Sequence, residues 1–416
     1  MHLRKKTVSS VVILAVFFVL FMSARAKQNK AVTNIHPPVE GAVYSERGSY
    51  LVGTRELMID GEMPLEVVLW YPAVNGEGVI EGTQYSYEIK MANPLGRVTL
   101  ARFAGQALRE APYDLSAGPY PLVILSPGFS FGSSVYAWLA EHLASYGFVV
   151  MAPEHAEHLD PENELWQSAI TRPQDILTLL DYVGGQVESG GTLASLVDQE
   201  RTAVIGHSYG GYTSLAAAGA RFDTESFKSH CEKAQKADHP AAWLCDQLLP
   251  HMKDMASLAE LDSLPRDLWP AWADTRVDAI VPMAGDAFFF GQAGLAEITV
   301  PVMAIGGTLD TDSPYMWGTY PTYEYVSSSR KVRIALTNAE HMIFTGPCEN
   351  ITWFLKFFSN EFCVDAGWDR TYAHNLVKHF TTAFLLAELK QDDGAAAALG
   401  PDAVGFPDVT YNAQGY

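Results

Sequence analysis

Thr202-Ala203-Val204-Ile205-Gly206-His207-Ser208-Tyr209-Gly210-Gly211 is the stretch on which the reading of this chain turns. A short apolar run stops at a glycine, and a helix of small residues, Tyr209–Ala220, begins just beyond it. The spacing is G-x-S-x-G in a strand–turn–helix setting. There the serine occupies a sharp, strained turn that lifts its hydroxyl clear of the sheet. Side chains at Gly206 and Gly210 would collide with the neighbouring strand and helix. The Tyr209 N–H, at the start of the helix, is suited to donate to a developing negative charge. Ser208 is therefore the candidate nucleophile.

A second match competes with it. Gly128-Phe129-Ser130-Phe131-Gly132 also fits G-x-S-x-G, after the run Pro121–Ser126 and before a helix. In such an arrangement the loop after an earlier strand supplies the second oxyanion donor. We expect the Phe129 N–H in that role and Ser130 as a supporting polar residue, with Ser130 the rival nucleophile.

A serine hydroxyl needs a base, and the base needs an orienting carboxylate. In the chain order Ser–acid–His, Pro301–Gly307 reads as a strand ending in glycines, with Asp310 just past it. One strand later, Asn338-Ala339-Glu340-His341-Met342-Ile343-Phe344 puts His341 in the following loop. His341 is the candidate base and Asp310 the candidate acid, with Asp286 and Asp312 as rivals. His155 and His158 follow the Phe148–Ala152 run and read either as pocket-mouth residues or as a plain polar loop. Phe288-Phe289-Phe290 reads either as an acyl pocket or as core. No metal site is expected.

Around these residues the chain alternates. Pro121–Ser126, Phe148–Ala152, Thr202–Ile205, Val277–Ala284, Val300–Ile305 and Val332–Leu336 read as buried strands. Val135–Tyr146, Pro173–Val183 and Tyr209–Ala220 read as helices. That pattern implies an α/β fold with a mainly parallel central sheet flanked by helices. Tyr50–Ile59 and Leu65–Tyr71 read as two leading strands joined by a turn. Residues 74–118 read as an insertion with a helical piece around Val98–Arg109. Residues 221–275, with Trp243, Trp269 and Trp272, read as a cap inserted after the nucleophile helix, or else as a surface excursion.

The chain has 416 residues and a formal net charge of −20. Such acidity argues against nucleic acid or an anionic membrane as partner, because both would repel it. Arg4, Lys5 and Lys6, the apolar run Val11–Met22 and Ala24-Arg25-Ala26 read in that order as a signal peptide over residues 1–26. Residues 27–416 then form a single domain, secreted or periplasmic. The apolar run is shorter than the roughly 20 residues of a comfortable span; an uncleaved anchor is the alternative. Cys231 with Cys245 and Cys348 with Cys363 are the local pairings among the four cysteines. Buried free thiols are the other reading.

These residues resemble the α/β-hydrolases that include dienelactone hydrolase-like esterases and platelet-activating-factor acetylhydrolase-like enzymes. The resemblance runs from Gly48–Arg55 and Glu66–Pro72 through Ser126-Pro127-Gly128-Phe129 and the Gly206–Gly211 elbow to Asn338–Phe344. It implies a sheet of the eight-stranded type, no cofactor, and a small-molecule or lipid-like ester with a modest acyl group as substrate. The Pro-Gly-aromatic turn is also similar to that of polyester hydrolases. Two features depart from the pattern. Dienelactone hydrolases proper use cysteine as nucleophile. The acetylhydrolase branch places its acid where Asp286-Ala287-Phe288 stands, whereas Gly307-x-x-Asp310-x-x-x-Pro314 matches the commoner position.

Overall fold

The computed structural model describes residues 41–61, 64–76, 78–91, 96–159, 164–346, 365 and 367–416. The expected signal segment and the Cys348–Cys363 pairing lie outside the described residues.

In chain order the strands are β1 (Leu51–Ile59), β2 (Leu65–Ala73), β3 (Thr83–Met91), β4 (Gly96–Gly105), β5 (Leu108–Arg109), β6 (Tyr120–Ser126), β7 (Val149–Pro153), β8 (Val197–His207), β9 (Ala279–Met283), β10 (Val302–Gly307), β11 (Lys331–Leu336) and β12 (Val409–Gln414). Ten of them form one sheet in the order β12-β11-β10-β9-β8-β6-β7-β2-β1-β5. From β7 to β11 the pairing is parallel throughout. β12 joins β11, and β2 joins β7, in antiparallel register.

The parallel strands are buried on both faces, which is why they read as unbroken apolar runs. Alternation sorts their side chains. Leu122, Ile124, Val149, Met151 and Val204 enter the core beneath the helices Leu165–Glu188 and Tyr209–Ala217. Val123, Leu125, Val150, Ala152 and Ile205 enter the core beneath Ala137–Ser145 and Arg370–Lys390. Burying one such side chain contributes about 1.5–3 kcal/mol. Two layers of helix on a parallel sheet are the expected architecture. Arg370–Lys390 and β12 are additions that the sequence reading did not contain.

The helix expected around Val98–Arg109 is not there. β4 pairs antiparallel with β3, and β5 pairs with β1. Burial along this segment has period two: Ala101 and Phe103 are buried, Arg102 and Ala104 exposed. The hairpin is fastened by a polar chain. Trp70 Nε1 donates to the Tyr85 hydroxyl at 2.7 Å, and that hydroxyl donates to Glu141 Oε1 at 2.7 Å.

The helix Leu165–Glu188 begins earlier than expected and runs through Pro173. A proline removes the donor for the carbonyl four residues back, here Ala169. The Tyr212 hydroxyl donates to that carbonyl instead, at 2.7 Å, so the helix continues.

Residues 221–275 carry the helices Thr224–Lys236, Ala242–Leu248 and Met252–Leu258. Cys231 and Cys245 are disulfide-bonded and join the first two. The segment packs through Phe227 against Phe289, with ring centroids 5.6 Å apart. His230 reaches Phe288 and Trp317, just beyond the ends of β9 and β10.

The disulfide closes a sequence separation of 14 residues, a loop for which constraint of the unfolded chain is worth about 3 kcal/mol. The double variant Cys231→Ser/Cys245→Ser is expected to melt several degrees below the parent by circular dichroism. An unchanged melting temperature would remove the crosslink from the account of stability.

Candidate active site

Ser208 sits where β8 meets the helix Tyr209–Ala217, with φ 58° and ψ −122°. A residue with a side chain rarely holds positive φ unless its surroundings impose it. The Ser208 N–H donates to the Met283 carbonyl on the neighbouring strand at 2.9 Å. A Cβ at Gly206 would be driven into the Gly210 carbonyl, and one at Gly210 into the Ser126 carbonyl. The glycines are needed because three backbone segments meet here.

Ser208, His341 and Asp310 are brought together in one row. His341 Nε2 lies 2.9 Å from Ser208 Oγ, and Nδ1 lies 2.7 Å from Asp310 Oδ2. Asp310 Oδ1 accepts the N–H groups of Asp312 and Ser313 at 2.9 and 2.8 Å, which fixes the carboxylate. Burial acts to lower the His341 pKa, but the Asp310 charge and hydrogen bond outweigh it and hold the imidazole up at about 9.

Asp286 lies close enough to feel the His341 charge, and its Oδ1 is buried without a hydrogen-bond partner among the described residues. Burial pushes its carboxyl up to about 7, opposed by the Ser313 hydroxyl and His341. Asp312 is half-buried and serves the turn around Asp310 through its N–H.

The Gly128–Gly132 stretch forms a tight turn instead of an elbow. The Phe131 N–H donates to the Gly128 carbonyl at 3.0 Å, and Ser130 holds φ 61° in the middle of the turn. The Ser130 carbonyl accepts the Tyr87 hydroxyl at 3.0 Å, so the β3–β4 hairpin clasps the loop from outside. The Phe129 ring meets the Tyr209 ring edge-on at 6.0 Å between centroids.

Several residues here were missed in the sequence. His207, the first variable position of the elbow, is fully buried, and burial and His341 drive its pKa well below the ordinary value. Its Nε2 lies 3.1 Å from the His341 carbonyl, which can only accept, so Nε2 carries the proton and Nδ1 accepts. The Tyr136 hydroxyl donates to Nδ1 at 2.8 Å and accepts the Gly128 N–H at 3.1 Å. Arg172 and Glu157 form a buried ion pair under the same loop. A charged residue directly before Pro173 was the available signal.

His155 is no pocket-mouth residue: fully buried, it lies 2.9 Å from Ser126 Oγ and 2.7 Å from Asp175 Oδ2. His158 is buried too, stacked on Tyr87 at 5.8 Å. Of the two readings of Phe288–Phe290, the core one applies; all three are buried, with Phe289 and Phe290 packed on Tyr212.

A family model described as PETase, PET hydrolase-like, matches residues 100–235. A cutinase of Thermobifida alba is 26% identical over 230 residues, 55% of this chain and 56% of that protein. Cutinase 1 of Thermobifida cellulosilytica is 23% identical over 291 residues, 68% of this chain and 85% of that protein. A bis(hydroxyethyl) terephthalate hydrolase of Streptomyces coelicolor is 36% identical over 110 residues, 26% of this chain and 32% of that protein. The chain thus has the α/β-hydrolase fold, a mainly parallel sheet flanked by helices, and is similar over part of its length to cutinases and to a bis(hydroxyethyl) terephthalate hydrolase.

Proposed function

We propose that the protein hydrolyses carboxylic esters of short to medium acyl chain through an acyl-enzyme, with Ser208 as nucleophile, His341 as base and Asp310 as orienting acid. The observation that carries this is the row Ser208 Oγ–His341 Nε2 at 2.9 Å and His341 Nδ1–Asp310 Oδ2 at 2.7 Å. Ser208 gives its proton to His341 and attacks the ester carbonyl. The N–H groups of Phe129 and Tyr209 receive the tetrahedral oxyanion, an effect of about 3 kcal/mol per donor. The alcohol leaves with the proton from His341, and a water activated by the same ring releases the acid. Asp310 fixes the ring tautomer and supports its positive charge. Export to an oxidising compartment belongs to the same proposal; the N-terminal sequence and the Cys231–Cys245 disulfide support it.

A polyester as substrate is the second reading. The PET hydrolase-like family match favours it, as do apolar side chains on the loop after β10, where Leu309 is 52% and Met316 61% exposed.

Hydrolysis of p-nitrophenyl esters from acetate to palmitate tests the first reading. Ser208→Ala is expected to lose about a thousandfold or more in kcat/KM, while Ser130→Ala keeps most of it. Activity surviving in Ser208→Ala would move the nucleophile elsewhere, and a preference for palmitate would make the protein a lipase.

The pH profile separates the two acids. The base must be neutral to work, so kcat/KM should rise with pH, with its midpoint well above the ordinary 6.5 of a histidine and toward about 9. In Asp310→Asn the main charge that lifts the ring is gone and burial is opposed only by Asp312 and Asp286, so the midpoint should move down in pH. The plateau should fall by roughly ten-thousandfold. Should Asp286→Asn show that behaviour and Asp310→Asn little change, Asp286 is the acid.

A further inference from the structure

We propose that Arg172 is a positioning residue for the oxyanion loop, aiming the Phe129 N–H through the carbonyls that precede it. The inference rests on the Ser208 reading above. Arg172 is fully buried in the helix Leu165–Glu188. Its Nη1 donates to the Pro127 carbonyl at 2.6 Å and its Nη2 to the Gly128 carbonyl at 2.9 Å. Its Nε donates to Glu157 Oε1 at 2.7 Å, and Nη2 reaches the same oxygen.

The Gly128 carbonyl and the Phe129 N–H belong to one peptide unit. That unit is planar and trans, so its oxygen and its hydrogen point in opposite directions. Holding the oxygen on a buried guanidinium therefore sets the direction of the N–H. The Phe131 N–H bonds the same oxygen at 3.0 Å, which leaves the plane little freedom to rotate. The guanidinium carbon also lies 5.5 Å from the centroid of the Tyr209 ring. One rigid fork thus touches the loop of one proposed donor and the residue of the other.

Glu157 keeps the fork in place. Burial raises its pKa, but the Arg172 charge outweighs this and holds the carboxyl below its ordinary value. Apolar residues of similar volume often serve stability as well as a buried ion pair does. What the pair adds is a planar set of donors at fixed angles, which lysine cannot reproduce.

The test compares the full-length parent, Arg172→Lys, Glu157→Gln and Ser208→Ala on p-nitrophenyl acetate and on its thiono analogue, with melting curves for each. Sulfur fits an oxyanion site poorly, so a well-aimed site discriminates strongly between the two. Arg172→Lys is expected to lose roughly a hundredfold in kcat on the oxygen ester with KM little changed. The oxygen-to-sulfur ratio should shrink with it. A general loss of folded protein would instead lower both esters together and leave the ratio unchanged, and that result overturns the proposal, as does parent-like kcat. If Arg172→Lys does not fold, Glu157→Gln carries the same comparison, with a smaller loss and the same fall in ratio expected. Activity surviving in Ser208→Ala would instead overturn the reading of the nucleophile, which the Arg172 ratio does not touch.

Discussion

The close approach of three backbones at Ser208 is the constraint on which the site depends. β8, the helix Tyr209–Ala217 and the end of β6 converge there with no room for side chains at 206 and 210. The turn holds Ser208 at positive φ, a conformation that has to be imposed from outside. The imposing structure is the sheet. Ser208 is tied to Met283 on β9, and β9 is paired along its length with the end of β8, Ala203–His207. A loop alone could not hold such geometry, whereas a turn between a buried strand and a helix can.

Beneath this turn lies a polar layer inside an otherwise apolar core. The Gly128 N–H, Tyr136, His207 and the His341 carbonyl form a continuous hydrogen-bonded chain. Arg172 and Glu157 brace the same loop from the other side. Buried polar groups are costly when unpaired, and here they are paired into a frame. The loop that follows β6 and the loop that carries His341 are thus connected through side chains that never face the substrate side of Ser208.

What the sequence disclosed follows from which features are local. The elbow, the strand–helix alternation and the His341 loop depend on residues adjacent in the chain, and they were legible. Asp310 was legible as the foremost of three candidates because strand order limits where an acid can lie, but only packing brings it to 2.7 Å from His341. The stretch Val98–Arg109, which forms most of β4 and all of β5, reads as helical in the sequence. Its alternation is interrupted by small residues, and its docking rests on the long-range chain from Trp70 through Tyr85 to Glu141. The early start of Leu165–Glu188 was hidden because the partner that rescues the Ala169 carbonyl, Tyr212, lies far along the chain. Arg172 escaped notice for a similar reason: besides Glu157, its acceptors are backbone oxygens, which leave no mark in the residue code.

The Gly128–Tyr136–His207–His341 chain has a consequence for how this protein can change over generations. Its inner members, Tyr136 and His207, each satisfy two neighbours at once, so replacing either leaves a buried orphan on both sides. Effects of single replacements in such a cluster do not add. The path to a different side chain at 136 or 207 therefore runs through simultaneous or compensated exchanges. Surface positions such as Leu309 and Met316 carry no such tie. Diversification of the rim and fixity of the frame are thus written into the same few hydrogen bonds.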